Sequence, residues 1–119
     1  MFSKEDFHKR LYKYSLDVIK FVEKLPNNPT SKVLGNQLLR SGTSATANII
    51  EAQAASSKLD YINFYNHALK SANESKFWIS LINDSGKCKR EDSEVLLKET
   101  NEIAKILGSS VLTMRSKIN

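Results

Sequence analysis

Two histidines and one cysteine are the residues of this 119-residue sequence best suited to catalysis or metal binding. His8 and His67 have no cysteine or histidine partner at metal-site spacing, and no arginine precedes either one as in a helical ribonuclease motif. Cys88 lies between two lysines, which would lower the pKa of its thiol, but it has no visible catalytic partner, so we interpret it as an idle surface thiol. We therefore predict no metal, no cofactor and no enzymatic activity.

Acidic residues are concentrated in the first half of the last predicted helix. We interpret them as a match to the helix dipole and as a solvated face, rather than as an acid/base pair. They are Glu91, Asp92, Glu94, Glu99 and Glu102. The sequence also lacks a glycine-rich phosphate loop and a nucleophile elbow, which agrees with a protein that is not an enzyme.

A polar stripe follows the second predicted helix beside an apolar side. At about 100° per residue it contains Gln37, Arg40, Ser44, Asn48 and Glu51. We expect Arg40, Asn48 and Glu51 to be buried and therefore to hydrogen-bond another helix or subunit. Glu74 is the candidate partner of Arg40, the alternative being that each faces water. An enzyme assembled across subunits around these three residues is a further hypothesis, which their burial inside the bundle would exclude.

Basic residues form two groups, and the net charge of +5 favours an acidic partner such as nucleic acid. The first group lies within roughly 60° of arc on the first helix, and its alternative interpretation is a solvated face with a Lys13/Asp17 pair. The second lies in a turn after the third helix, where the helix dipole favours cations without any ligand. The first group consists of Lys9, Lys13, Lys20 and Lys24, and the second of Lys87, Lys89 and Arg90.

Four helices must position these residues, and no stretch shows the alternation of a strand. The first begins after Ser3, which has Asp6 at capping-box spacing, and ends before Pro26. Thr30 or Ser31 caps the second, which fades over residues 53–57. Ser57 begins the third, again with an aspartate three residues later. The fourth runs from Asp92 or Ser93 to near Lys117.

The small residues of the second and third helices predict that these two helices pack as a tight antiparallel hairpin. The small residues of each helix form a row that we call its small-residue seam. The seam of the second helix contains Ser41, Gly42, Ser44, Ala45 and Ala47, and that of the third contains Ala68, Ser71, Ala72 and Ser75. The first helix carries a core stripe of Phe7, Leu11, Tyr14, Val18, Val22 and Leu25. We predict an all-α fold in which residues 1–119 form one antiparallel up-down-up-down four-helix bundle.

Tyr12, Leu16 and Ile19 lie off the core stripe and suggest a subunit contact, although scattered surface apolar residues are ordinary. No apolar run is long enough to span a membrane, and the sequence from Met1 to Asp6 does not resemble a signal peptide. With a single cysteine, we predict a cytoplasmic protein.

Two runs, Asn36-Gln-Leu-Leu-Arg-Ser-Gly-Thr-Ser44 and Ala47-Asn-Ile-Ile-Glu-Ala52, resemble the signature of a bacterial four-helix-bundle family. This family comprises proteins encoded in intervening sequences of 23S ribosomal RNA genes, also called S23 ribosomal proteins, and the accessory variability determinant of diversity-generating retroelements. The resemblance extends to residues 7–12, 59–64 and the last helix. Ala52 and Gln53 depart from the family, which more often has a glycine and a polar residue there.

The resemblance implies association with ribosomal RNA, or with a reverse transcriptase and its RNA, and a ring-shaped homo-oligomer, a pentamer. We therefore predict a non-catalytic protein that binds RNA or other structured nucleic acid through phosphate contacts of the two basic groups. The alternative is a protein interaction or scaffold module that uses the polar stripe and the off-core apolar residues, with no direct nucleic-acid binding.

Overall fold

The computed structural model describes residues 3–118, which form four α-helices and contain no strand. The helices are α1 (Lys4–Glu23), α2 (Pro29–Ala52), α3 (Lys58–Asp84) and α4 (Arg90–Ile118). Each packs against its neighbours in the cycle α1, α2, α3, α4, and the Cα atoms of diagonal helices stay more than 8 Å apart within this part of the chain. The protein is the predicted all-α, antiparallel up-down-up-down four-helix bundle.

Side-chain caps explain where the helices begin. The hydroxyls of Ser3 and Ser57 accept hydrogen bonds from the backbone N–H groups of Asp6 and Asp60, both at 3.0 Å, as predicted. The prediction of Thr30 or Ser31 as the cap of α2 was wrong. Asn28 caps this helix by accepting from the N–H of Ser31 at 2.9 Å, because the next residue is a proline, which suits the first helical position.

The start of α4 was also predicted too late, since the helix begins at Arg90 rather than at Asp92 or Ser93. Ser93 is buried and its hydroxyl donates to the carbonyl of Arg90 at 2.9 Å, so it lies inside the first turn instead of capping it. Before this, Gly86 adopts a φ of 74°, which lets the chain leave α3 at little conformational cost.

Serine pairs join α2 and α3 along the predicted small-residue seam. The hydroxyls of Ser41 and Ser75 lie 2.8 Å apart, and Ser71 donates to the hydroxyl of Ser44 at 3.1 Å. Gly42 does not belong to this seam. A Cβ atom at Gly42 would lie 3.0 Å from a methyl group of Val18, so this glycine faces α1 and permits the close approach of α1 to α2.

A buried polar layer crosses the bundle at the height of Tyr14 and draws on all four helices. The hydroxyl of Tyr14 lies 2.7 Å from that of Thr100, which itself donates to the carbonyl of Leu96. Burial raises the pKa of Tyr14 to about 12, against the opposing effect of hydrogen bonds to Thr100 and Ser75. Ser75 pairs in turn with Ser41, so the layer is continuous from α1 to α2.

Replacing Tyr14 by phenylalanine should change how stability depends on alkaline pH. A folded-state pKa of about 12, above an unfolded value of about 10, means that the stabilisation is complete below pH 10 and is lost as pH rises towards 12. Tyr14→Phe should therefore lose about 1 kcal/mol at neutral pH, with its hydrogen bond, and avoid the loss of about 1.4 kcal/mol that the buried tyrosine causes by pH 11.

Urea unfolding at pH 8 and at pH 11 measures both effects. Tyr12→Phe is the matched control, because Tyr12 is 66% exposed on the same helix. If Tyr12→Phe and Tyr14→Phe shift the alkaline curve equally, the effect does not come from the buried hydroxyl.

Candidate nucleic-acid interface

Lysines from α1 line a groove between α1 and α4 on the side predicted to be basic. The groove measures about 330 Å³ and is lined by Lys13, Lys20 and Lys24 together with acidic residues of both helices. A second cavity of about 450 Å³ is lined by Lys24, Lys87 and Lys89, where the end of α1 meets the turn before α4. Lys24 lines both, so the structure brings together five of the seven predicted basic residues.

The remaining two basic residues lie elsewhere. Lys9 lines a different groove, between α1 and α2, with Tyr12, Leu16 and Ile50. Arg90 is exposed at the first residue of α4 and lines neither of the basic cavities.

Ion pairs distinguish the lysines that are already neutralised from those that are not. Lys9 pairs with Glu5 at 3.7 Å and Lys13 with Asp17 at 2.7 Å, the latter raising the pKa of Lys13 through its hydrogen bond. Of the lysines that line the two basic cavities, four make no ion pair within the described residues. These are Lys20, Lys24, Lys87 and Lys89, which we call the basic cluster.

Arg10 neutralises Glu99, one of the three carboxylates that line the groove. Its guanidinium donates to both carboxylate oxygens of Glu99, at 2.8 and 2.7 Å, and to Glu102 at 2.8 Å. The hydrogen bonds to Glu99 raise the pKa of Arg10 above its already high value. Glu102 lies on a solvated face, as interpreted, whereas the side chain of Glu99 is only 31% exposed, and both carboxylates anchor α4 to α1. With Asp17 also paired, Asp92 is the groove carboxylate left without an ion pair in residues 3–118.

The polar stripe of α2 lies nearer the surface than predicted. Arg40 forms an ion pair with Glu74 and also donates to the side-chain oxygen of Gln37, at 3.0 Å from Nη2. Trp78 donates to Glu74 at 2.8 Å, and this hydrogen bond, followed by that of Arg40, lowers the pKa of Glu74. Yet the Arg40 side chain is 56% exposed, so the prediction that it is buried was wrong.

The rest of the stripe does not converge on a site. Glu51 is exposed, again against the prediction, because α3 covers only the small-residue seam and not the edge beyond it. Asn48 is half-buried and donates to the backbone carbonyl and hydroxyl of Ser44, at 2.9 and 3.2 Å, so its partners lie on its own helix. The predicted hydrogen bonds to another helix are thus made by Arg40 and Ser44, not by Asn48.

The residues first considered for catalysis remain apart. Cys88 is half-buried, and burial raises the pKa of its thiol, so the lowered pKa considered from its neighbouring lysines was wrong. His8 lies 3.5 Å from the side chain of Gln53, and the side chain of His67 is exposed. Over residues 3–118, no three His, Cys, Asp or Glu side chains are grouped so that they could hold a metal ion.

Comparison with known families decides what kind of protein this bundle is. The sequence model of the 23S rRNA-intervening sequence proteins matches residues 4–109, which span all of α1, α2 and α3 and most of α4. The chain belongs to this family. The second relationship predicted from the sequence, to the retroelement accessory proteins, stays a prediction.

A solved structure agrees with this membership of the intervening-sequence family. It is a protein of unknown function from the S23 ribosomal protein family of Bacteroides thetaiotaomicron, 36% identical in sequence. The match covers 87% of this chain and 96% of that chain, with a TM-score of 0.82. No curated protein matches this intervening-sequence family member.

Two surface properties of this family member bear on its partners. Within residues 3–118, none of the helices has the length and apolar character needed to cross a membrane. Tyr12, Leu16 and Ile19 are 66%, 42% and 37% exposed on α1, and Ile50 of α2 is 52% exposed beside them. These four residues form what we call the apolar patch, part of which lines a groove of about 500 Å³.

Proposed function

We propose that this protein is a cytoplasmic, non-catalytic RNA-binding protein that holds the phosphate backbone on its basic cluster. Family membership points to RNA without defining the contact. The observation that carries the proposal is the convergence of Lys20, Lys24, Lys87 and Lys89 from two separate parts of the chain onto adjoining cavities. Lys13 lines the same groove but is paired with Asp17, and Lys9 and Arg90, which were also predicted to bind, lie outside both cavities.

Charge balance favours an anionic partner for this surface. Four lysines that repel one another are brought together here without ion pairs in the described chain. The nearby Glu99 and Asp17 are each engaged by another cation, so among the described residues Asp92 is the one carboxylate lining these cavities that offsets the lysines. A phosphate backbone supplies regularly spaced negative charges that such a cluster can follow without reading bases. The mode of binding should therefore depend on charge and shape rather than on sequence.

Self-association is the second part of the proposal. The apolar patch is suited to a subunit interface, and we assign it to a homo-oligomer, a pentamer in the expectation from sequence. Copies of the basic cluster on one assembly would bind one RNA together, so that weak single-chain contacts sum to useful affinity. Multi-angle light scattering of the wild type and of Leu16→Glu measures the number of chains per particle. The variant should form smaller particles, because it places a charge in the proposed interface.

Affinity for RNA should fall steeply with salt. Four phosphate contacts per chain release counterions with a slope of about −0.7 per contact for single strands, so affinity should fall about 50-fold between 50 and 200 mM salt. Fluorescence anisotropy with a labelled RNA, at a fixed protein oligomeric state, gives this slope. An affinity that stays flat over the same range would reject phosphate binding.

The same apolar patch also favours a second candidate function, a scaffold that recognises another protein. Its aromatic and aliphatic side chains are of the kind found at interface cores, and its charged surroundings are of the kind found at interface rims. Under this hypothesis the basic cluster serves solubility alone. A wild-type protein that binds no RNA would favour it, whereas RNA binding that survives loss of the basic cluster would only place the RNA interface elsewhere.

A further inference from the structure

A cavity lies at the end of the bundle opposite the basic cluster. It measures about 470 Å³ and is enclosed by the first turn of α1, the connection between α2 and α3, and the last turns of α4. Its apolar lining consists of Ala52, Ile62, Met114 and Ile118, with Tyr61 at one side. Met114 and Ile118 follow the residues that the family model matches, whereas Ala52, Tyr61 and Ile62 lie within them.

Three lysines surround this apolar lining, and the residues that line the cavity include no carboxylate among those described. They are Lys4, Lys58 and Lys117, and none of the three makes an ion pair within residues 3–118. The ammonium group of Lys4 lies 5.0 Å from the centre of the Tyr61 ring, which holds it at the mouth of the cavity. The cavity therefore differs from the α1/α4 groove, where lysines share the walls with acids.

The helix dipole makes the positive charge of two of these lysines unfavourable in the absence of a ligand. Lys4 and Lys58 are the first residues of α1 and α3, where the positive end of the helix dipole disfavours a cation. Asp60 lies in the same turn as Lys58, but its carboxylate accepts from the N–H of Ser56 at 3.1 Å and does not line the cavity. Lys117 differs, since the last turn of α4 favours a cation without any ligand.

From the cavity, its apolar lining and its unpaired lysines, we infer that this site binds a small amphipathic organic anion. The acidic group lies between Lys4 and Lys58, and the apolar body covers Ala52, Ile62 and Met114. A bare inorganic anion would leave the lining exposed, and a neutral apolar molecule would leave the lysines without a partner. This inference does not depend on RNA binding by the basic cluster.

Two dyes of nearly the same shape test the inference. Anilinonaphthalene sulfonate carries an apolar body and one anionic group, whereas N-phenylnaphthylamine lacks the sulfonate. The wild type should bind the sulfonate at one site per chain and the neutral dye more weakly. The double variant Lys4→Gln/Lys58→Gln should bind the sulfonate about tenfold more weakly, with the affinity for the neutral dye unchanged.

Two further variants complete the experiment. Ala55→Trp places a large side chain at the wall of the cavity and should weaken both dyes. Lys70→Gln/Lys98→Gln, at exposed positions that do not line the cavity, should weaken neither. Equal affinity for the two dyes, or equal loss in the two double variants, would overturn the inference. RNA affinity measured on the same proteins keeps this result separate from that of the basic cluster.

Discussion

The quadruple variant Lys20→Glu/Lys24→Glu/Lys87→Glu/Lys89→Glu should lose RNA binding by at least about 100-fold at 50 mM salt. Each substitution removes one phosphate contact and adds a negative charge next to the RNA backbone. The fold should survive, because the basic cluster lies outside the hydrophobic core and makes no ion pair in the described chain. Anisotropy with one single-stranded and one hairpin RNA measures the loss, and circular dichroism verifies the helices.

A matched control separates a local effect from that of net charge. The variant Lys70→Glu/Lys98→Glu/Lys105→Glu/Arg115→Glu has the same net charge, and all four positions are exposed and line neither basic cavity. It should keep most of the wild-type affinity. If both variants lose RNA equally, binding is a property of overall charge, and if neither does, the basic cluster is not the interface.

The fold followed from sequence because its signals are local. Ser3 and Ser57 are each followed three residues later by an aspartate, the spacing of a capping box. The 3.6-residue period of the apolar side chains identifies which side of each helix is buried. The cap of α2 was the exception. There Pro29 occupies the first helical position, so Asn28 is the N-cap. The Asn-Pro pair is visible in the sequence, but the hydroxyls of Thr30 and Ser31 were equally plausible caps.

The site was less predictable because its contacts depend on the register between distant helices. Arg10 and Glu99 are separated by 89 positions in the chain, and no spacing rule relates them until α1 and α4 are placed side by side. The convergence of Lys24 with Lys87 depends on the same register. Periodicity placed Lys20 and Lys24 on one side of α1, and the turn supplied Lys87 and Lys89, so the four residues of the basic cluster were predicted from the sequence but their convergence was not.

Burial of the polar stripe was overestimated for a related reason. Small residues show that two helices approach closely, but not how far the contact extends around each helix. In the structure the contact ends at the Ser44 and Ser71 pair, so Arg40 reaches Glu74 across the surface and Glu51 remains exposed. The ion pair between Arg40 and Glu74 is therefore partly screened by water, and we expect it to contribute little to stability.

Gly42→Val should destabilise the protein strongly, by about 3 kcal/mol. Even a single Cβ atom at this position would lie 3.0 and 3.1 Å from the two methyl groups of Val18, which is fully buried. A valine adds two more methyl groups, so α1 and α2 must move apart and disturb the polar layer at Tyr14. Urea unfolding monitored by circular dichroism measures the loss.

Gly108→Ala is the matched control, and it should have the opposite sign. A Cβ atom there meets nothing within 4 Å, so the only expected effect is the better helix propensity of alanine, about 1 kcal/mol of added stability. Adding Val18→Ala to Gly42→Val should recover part of the loss, because the two side chains compete for one space. If the double variant is instead less stable by the sum of the two single losses, Gly42 does not set the distance between α1 and α2, and the close approach of these helices has another cause.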